Sequence, residues 1–334
     1  CAESGSERQR PRRREGRCDV RPLPAGLSVV VPAYNSAEIL PQLVQRLASV
    51  LGNLGLEYEL ILVNDGSRDD SWRVVQELSA SYPWVRGISM MRNYGQHNAL
   101  LCGIRAARYG TLMTMDDDLQ HPPEEIPKLL AALSPNLDVV YAPPDREQHG
   151  FLRNLSSVIT KLALGSAMGS ESARKSSAWR VFRTQVRDAF ADYHSPLVSI
   201  DVLLTWGTGR FGVRPLRHDP RPSGKSNYTF GKLVRHAFNM VTGFSVLPLQ
   251  LASVIGLVFT VFGMGVLAFV VGRYVFAGSS VAGFPFLASI VAIFSGAQLF
   301  ALGIIGEYLA RMHFRIMEKP TYVVRETVGA EPKA

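Results

Sequence analysis

The chain has 334 residues, 47% of them hydrophobic, enough to bury the core of one or two domains. Its formal charge of +8 points to an anionic partner: nucleic acid, a phosphate-bearing substrate or an anionic membrane surface. Cys1, Cys18 and Cys102 are too few and too scattered for a disulfide framework or a zinc site.

Residues 1–26 are rich in Arg, Ser, Gly and Pro, lack the apolar run of a signal peptide, and are expected to form a disordered basic arm. From residue 27 to 142, short apolar runs alternate with amphipathic ones. "LSVVVPAY", "YELILVN", "VRGISMM", "TLMTM" and "LDVVYA" read as strands buried on both faces of a parallel sheet. "SAEILPQLVQRLASVL" places Leu43, Leu47, Val50 and Leu51 on one helical face, and "DDSWRVVQELSASY" does the same with Trp72, Val75 and Leu78. The alternation predicts an open α/β sheet, which binds ligands at the carboxyl ends of its strands.

Polar clusters fall at those ends: "PAYNS" after the first strand, "NDGSRDDS" after the second and "DDDLQHPPEE" after the fourth. Three consecutive carboxylates oppose folding unless a divalent cation, an arginine cluster or solvent meets them. Hard oxygen ligands favour Mg2+ or Mn2+, and Mg2+ commonly takes one or two carboxylates plus substrate phosphates. "GTGRFG", Gly207 to Gly212, matches a dinucleotide-binding pattern, but the proline-rich segment after it cannot form the helix that motif needs.

Further along, "FLRNLSSVITKLALGSAMG" (151–169) reads as an interfacial helix or an ordinary core-facing one. Asp201 is a lone acid in the apolar "SPLVSIDVLLTW", where it must find a partner; a structural bond and a role as base are both open. "RHDPRPSGKS" carries Arg217, Arg221, Ser223, Lys225 and Ser226, suited to hold phosphates through charge-assisted bonds or to sit on lipid headgroups. An interfacial helix is expected at 231–248, and two uncharged runs, Leu249 to about Val271 and Phe284 to Gly306, are long enough to cross a bilayer core. Lys232, Arg235 and His236 precede the first run, and Arg311, Arg315 and Lys319 follow the second, so both outer flanks are expected on the cytoplasmic side.

"VVVPAYNS", "LVNDGSRDDS", "RNYGQHNALLCGI", "MDDDLQHPPEEIP" and "RPSGKSNYTFGKL", followed by two spans and "GIIGEYLARM", resemble glycosyltransferase family 2, in its polyprenyl-phosphate branch. The resemblance covers roughly residues 27 to 325. It implies a GT-A fold, a Rossmann-like nucleotide-sugar-binding sheet, for a cytoplasmic catalytic domain at 27–230, with a membrane hairpin at 249–306 and a cytoplasmic tail at 307–334. It also implies inverting transfer of one sugar from a UDP- or GDP-linked donor to a polyprenyl phosphate. Membrane lipid is the other expected partner, nucleic acid is not, and a homo-oligomer in the cell inner membrane is expected.

By the same resemblance, Pro32, Ala33, Tyr34 and Asn35 line the nucleotide pocket and Asp65 contacts the base. Asp116 and Asp118 hold Mg2+ or Mn2+ at the diphosphate, with Gln120 beside them, while Asp117 stands where the family usually has a small neutral residue. The sequence departs from the family at "SSAWRVFR": aligning Trp179-Arg180 with the family's Phe-Arg leaves Ala178 where the catalytic aspartate is expected. Asp201 is then the candidate base, and a degenerate membrane-anchored binding subunit, or a transferase extending a lipid-linked or polysaccharide acceptor, is the alternative.

Overall fold

The structure, a computed structural model, describes residues 25–145, 177–219, 247–277, 284–317 and 319–329. The basic arm up to residue 24, the stretch 151–169, all but the end of 231–248, and Arg221, Ser223, Lys225 and Ser226 lie outside the described residues.

All seven residues of β1 (Leu27–Ala33) are buried, as are the last six of β2 (Tyr58–Asn64). Such strands can exist only between two covering layers. On one side lie α1 (Leu40–Leu51) and α2 (Ser71–Ser81). Leu40, Leu43, Val44, Leu47 and Leu51 form the apolar stripe of α1, with a proline in its first turn where a missing N–H costs nothing. On the other side α3 (Gln96–Ala106) is buried continuously from Asn98 to Ile104. Gly103 makes this close packing possible, because a Cβ there would meet Val30 Cγ1 at 2.4 Å.

The remaining described elements are β3 (Val85–Met90), β4 (Thr111–Thr114), α4 (Ile126–Ala132), β5 (Val139–Tyr141), β6 (Arg180–Arg183), α5 (Ile200–Gly207), β7 (Phe211–Val213), α6 (Leu247–Ala277), α7 (Phe284–Ile316) and β8 (Val324–Val328). They complete an eight-stranded sheet of order β7-β5-β6-β4-β1-β2-β3-β8. From β1 the chain steps to β2 and β3, then returns to the far side of β1 for β4, all in parallel. Reversal of strand order at β1 opens a crevice at the strand carboxyl ends.

Two features depart from the parallel sheet read from the sequence. β6 is antiparallel to both β4 and β5, and β8 is antiparallel to β3, pairing Ser89 with Glu326. β8 belongs to the segment read only as a tail: the strand after the second apolar helix joins the same sheet as the strands before the first. The "GTGRFG" stretch spans the end of α5 and the start of β7, so it lacks the strand-to-helix setting of a dinucleotide site.

Both uncharged runs fall on helices long and apolar enough to cross a membrane, over Pro248–Arg273 and Ile293–Ala310. Neither span is buried, and Leu257, Val258, Phe262, Leu287 and Leu299 are exposed, unlike the core helices of a soluble protein. The two helices meet at Phe259 and Phe294, edge to face with centroids 5.5 Å apart.

Candidate active site

Loops from the carboxyl ends of β1, β2 and β4 converge. Of the four residues expected to line a nucleotide pocket, Pro32 and Ala33 are covered inside β1, leaving Tyr34 and Asn35 at the exposed rim. Asn35 adopts a left-handed conformation, φ 54°. Its N–H donates to Ser67 Oγ at 3.0 Å and its Oδ1 accepts the Arg68 N–H at 2.9 Å. The Ser36 N–H donates to Ser71 Oγ at 2.8 Å, and that hydroxyl donates to Asp69 Oδ1 at 2.6 Å. Short polar side chains thus bind the first loop to the second.

Asp65, at the end of β2, faces inward. Its oxygens accept the N–H groups of Tyr94 at 2.7 Å and Gly95 at 2.9 Å, fixing the loop that leads into α3. Burial pushes its carboxyl up to about 6 against the opposing effect of those two bonds.

The three consecutive carboxylates part company. Asp116 Oδ1 accepts Gln96 Nε2–H at 2.6 Å, while the Asp116 N–H donates to His121 Nδ1 at 3.1 Å. Asp117 turns back into the protein and accepts the Ser36 hydroxyl; burial, with the Asp118 charge adding, holds its carboxyl above the usual range. Asp118 accepts Gln120 N–H at 3.2 Å and Gln120 Nε2–H at 2.9 Å. The chain then turns through Leu119 at φ 58°. Asn35 and Leu119 are the non-glycine residues with positive φ among the described ones, and both border this cluster.

Behind the loop, His121 is buried, stacked on Trp179 at 5.1 Å and met edge-on by His218 at 5.0 Å. Burial, with the neighbouring His218 adding, pushes His121 down to about 3, so the ring is neutral at physiological pH. The Asp219 N–H donates to Gln120 O at 2.9 Å, and Arg217 pairs with Asp219 at 3.1 Å. The start of the cationic loop is therefore tied to the aspartate loop.

Asp201, on the first turn of α5, pairs with Arg180 at 2.5 Å. Arg180 is 1% exposed, donates to Thr114 Oγ1 at 3.1 Å, and lies opposite Thr114 in the β4–β6 register. The partner that a lone acid requires is thus a buried guanidinium on the neighbouring strand, opposite Thr114, which lies two residues before Asp116. Ala178, in the position expected of a catalytic aspartate, offers its carbonyl to the Thr114 hydroxyl at 2.9 Å.

Among the described residues no group of three His, Cys, Asp or Glu side chains is arranged to hold a metal ion. Asp116 and Asp118 nevertheless present two hard carboxylates at the crevice, each bonded to an amide side chain. That donor set fits a divalent cation whose remaining ligands come from substrate phosphates and water.

Sequence reasoning did not single out Ser36, Gln96, His121, Trp179, Arg180 or His218 for a role in the site. All six stood inside stretches already noted, Gln96 in "RNYGQHNALLCGI" and Trp179 and Arg180 in "SSAWRVFR", but an isolated hydroxyl, amide or imidazole is usually structural. Gln96 is brought to Asp116 only by the fold.

Residues 28–190 match the family described as glycosyl transferase family 2. Over 309 residues the chain is 35% identical to the undecaprenyl-phosphate 4-deoxy-4-formamido-L-arabinose transferase of Proteus mirabilis (strain HI4320), covering 91% of this chain and 94% of that protein. The chain belongs to glycosyltransferase family 2. The transferase also resembles solved structures of glucosyl-3-phosphoglycerate synthase from Mycobacterium tuberculosis. The complex with Mn2+, UDP-glucose and phosphoglyceric acid superposes with a TM-score of 0.50 at 16% identity, covering 65% of this chain and 78% of that one. The complex with phosphoglyceric acid gives the same values. Both likenesses show the GT-A fold of the transferase.

Proposed function

We propose that this transferase moves a single sugar, with inversion, from a UDP- or GDP-linked donor to a polyprenyl phosphate at the cytoplasmic face of the membrane. The observation that carries the reading is the convergence of the loops after β1, β3 and β4 on the aspartate run, with Ser36 on Asp117, Gln96 on Asp116 and Gln120 on Asp118, in a chain 35% identical to an undecaprenyl-phosphate sugar transferase.

Tyr34 and Asn35 form the rim that receives the nucleotide, and Asp65 acts by holding the Tyr94–Gly95 loop rather than by reaching outward. Asp116 and Asp118 would hold Mg2+ or Mn2+, which when bound would supply Lewis-acid neutralisation of the charge that develops on the departing diphosphate. An oxygen of the acceptor phosphate bonds to the anomeric carbon as the bond from that carbon to the diphosphate oxygen breaks on the opposite side. No proton has to leave, because a phosphate monoester with a second pKa of about 6 is largely deprotonated at neutral pH. A base at position 178 is then dispensable, and Asp201 serves as the counter-ion of Arg180. Arg217, Arg221, Ser223, Lys225 and Ser226 would orient and neutralise the acceptor phosphate.

The membrane arrangement rests on two supports. β7 precedes α6 and β8 follows α7, yet both belong to one sheet, which requires both ends of a membrane hairpin to emerge on one face. Lys232, Arg235, Arg311 and Arg315 on the outer flanks favour the cytoplasmic face.

The test is to incubate membranes containing the chain with a panel of labelled nucleotide-sugars, including a UDP-linked formamido-arabinose donor, and to analyse the lipid product. A labelled polyprenyl-phosphate sugar is expected from one donor. Label entering a glycan or polysaccharide instead would replace the acceptor assignment, and no transfer from any donor would favour a binding subunit.

A further inference from the structure

Asp116 takes one hydrogen bond from a side chain that the mechanism leaves unused. Gln96 Nε2 donates to Asp116 Oδ1 at 2.6 Å from the first residue of α3, on the other side of the crevice. Gln96 itself is exposed, so burial is not what holds it there. Its backbone is fixed by its neighbours. The carboxylate of Asp65 grips the two preceding residues through the N–H groups of Tyr94 and Gly95. Two residues on, the buried Asn98 Nδ2 donates to Thr321 O at 2.6 Å and to Pro196 O at 3.2 Å. Gly103 then seats the helix against Val30 at a distance no larger residue permits. The first turn of α3 is therefore held by β2, by the loop before α5 and by the segment that returns from α7.

The chemistry of the donor matters as much as its placement. Of three adjacent carboxylates, Asp117 is drawn inward by Ser36 and Asp118 is held by Gln120, so Asp116 must be set against two neighbouring negative charges. A lysine or arginine at position 96 would orient it but would also cancel the charge that attracts a cation. A neutral amide fixes one oxygen and leaves the charge in place, as outer-shell groups do around metal-binding carboxylates.

We propose that Gln96 is a positioning residue for Asp116, setting the orientation in which this carboxylate meets the divalent cation. The proposal rests on the reading that Asp116 and Asp118 bind that cation. The test is Mn2+ binding by the full chain in detergent, followed from the electron paramagnetic resonance signal of free Mn2+, alone and with UDP or GDP. Wild type is compared with Gln96→Met, which keeps the length of the side chain and removes the donor, and thermal melting of both proteins is recorded. Mn2+ affinity is expected to fall about 10- to 100-fold in Gln96→Met, the range seen when outer-shell partners are removed, with melting unchanged because the side chain is exposed. Equal Mn2+ affinity in both proteins would overturn the positioning role while leaving the metal site standing. Loss of affinity accompanied by a lowered melting temperature would assign Gln96 to the fold instead. Absence of Mn2+ binding in wild type under all conditions would overturn the metal reading and the positioning role with it.

Discussion

Replacing Asp201 removes the charge that faces Arg180, a guanidinium 1% exposed and paired at 2.5 Å. Breaking a buried pair from one side costs about 3–5 kcal/mol, because the other charge is left without compensation. Arg180 keeps its bond to Thr114 Oγ1 at 3.1 Å and lies 5.8 Å from the centroid of the Tyr141 ring, so the lower end, about 3 kcal/mol, is expected for Asp201→Asn. For a domain of about 200 residues this corresponds to a fall in Tm of roughly 6–12 °C. Tryptophan fluorescence during heating in detergent measures it directly, since buried Trp179 adjoins Arg180 in the chain. Turnover should also fall, because Arg180 and Thr114 pair across the two strands just before Asp116. The pH profile of transfer should keep its shape. A variant that melts like wild type would show that Arg180 does not depend on Asp201, and disappearance of the acid limb of the profile would make Asp201 a base after all.

Asp116→Asn and Asp118→Asn should each lower transfer about a hundredfold or more, given that a Lewis acid supplies several kcal/mol, and Mn2+ binding should weaken in parallel. Asp117→Asn should keep Mn2+ binding and instead lower Tm, through the weakened bond from Ser36; unchanged melting with lost metal binding would reverse these roles. Because the Asp65 carboxyl is raised from 3.8 to about 6 in the folded chain, the native state binds its proton first. Stability from this group therefore rises as pH falls through about 6 toward 3.8, by about 3 kcal/mol, and Asp65→Asn should lose that slope in melting curves recorded against pH. Arg221→Ala should raise the KM for lipid phosphate in micelles free of anionic lipid; a defect seen only in anionic bilayers would assign the loop to headgroup attraction.

The strands around the crevice were legible because complete burial writes itself as a nearly continuous apolar run, as in Leu27–Ala33, where every residue is covered and Ser28 alone is polar. β8 was not, because its residues Val324–Val328 are mostly exposed, carry adjacent charges at Arg325 and Glu326, and pair with β3 far back in the chain. β6 was hidden by its arginines: Arg180 reads as a surface residue until Asp201, 21 positions on, is folded against it. The convergence of three polar loops followed from their place at the ends of parallel strands. The different orientations of Asp116, Asp117 and Asp118 did not, since they depend on Gln96, Ser36 and Gln120, two of which arrive from other strand ends.

Sugar transfer to a polyprenyl phosphate by metal-binding aspartates needs no side-chain base when the acceptor arrives already ionised. The most direct measurement follows transfer from the labelled donor to purified undecaprenyl phosphate by the purified full chain across pH 5 to 9, with Mn2+ and with EDTA, comparing wild type with Ala178→Asp. A lipid-phosphate sugar formed by wild type, abolished by EDTA, and rising with the ionisation of the acceptor near pH 6 is expected. Wild type inert toward every polyprenyl phosphate, with activity restored by Ala178→Asp, would contradict it.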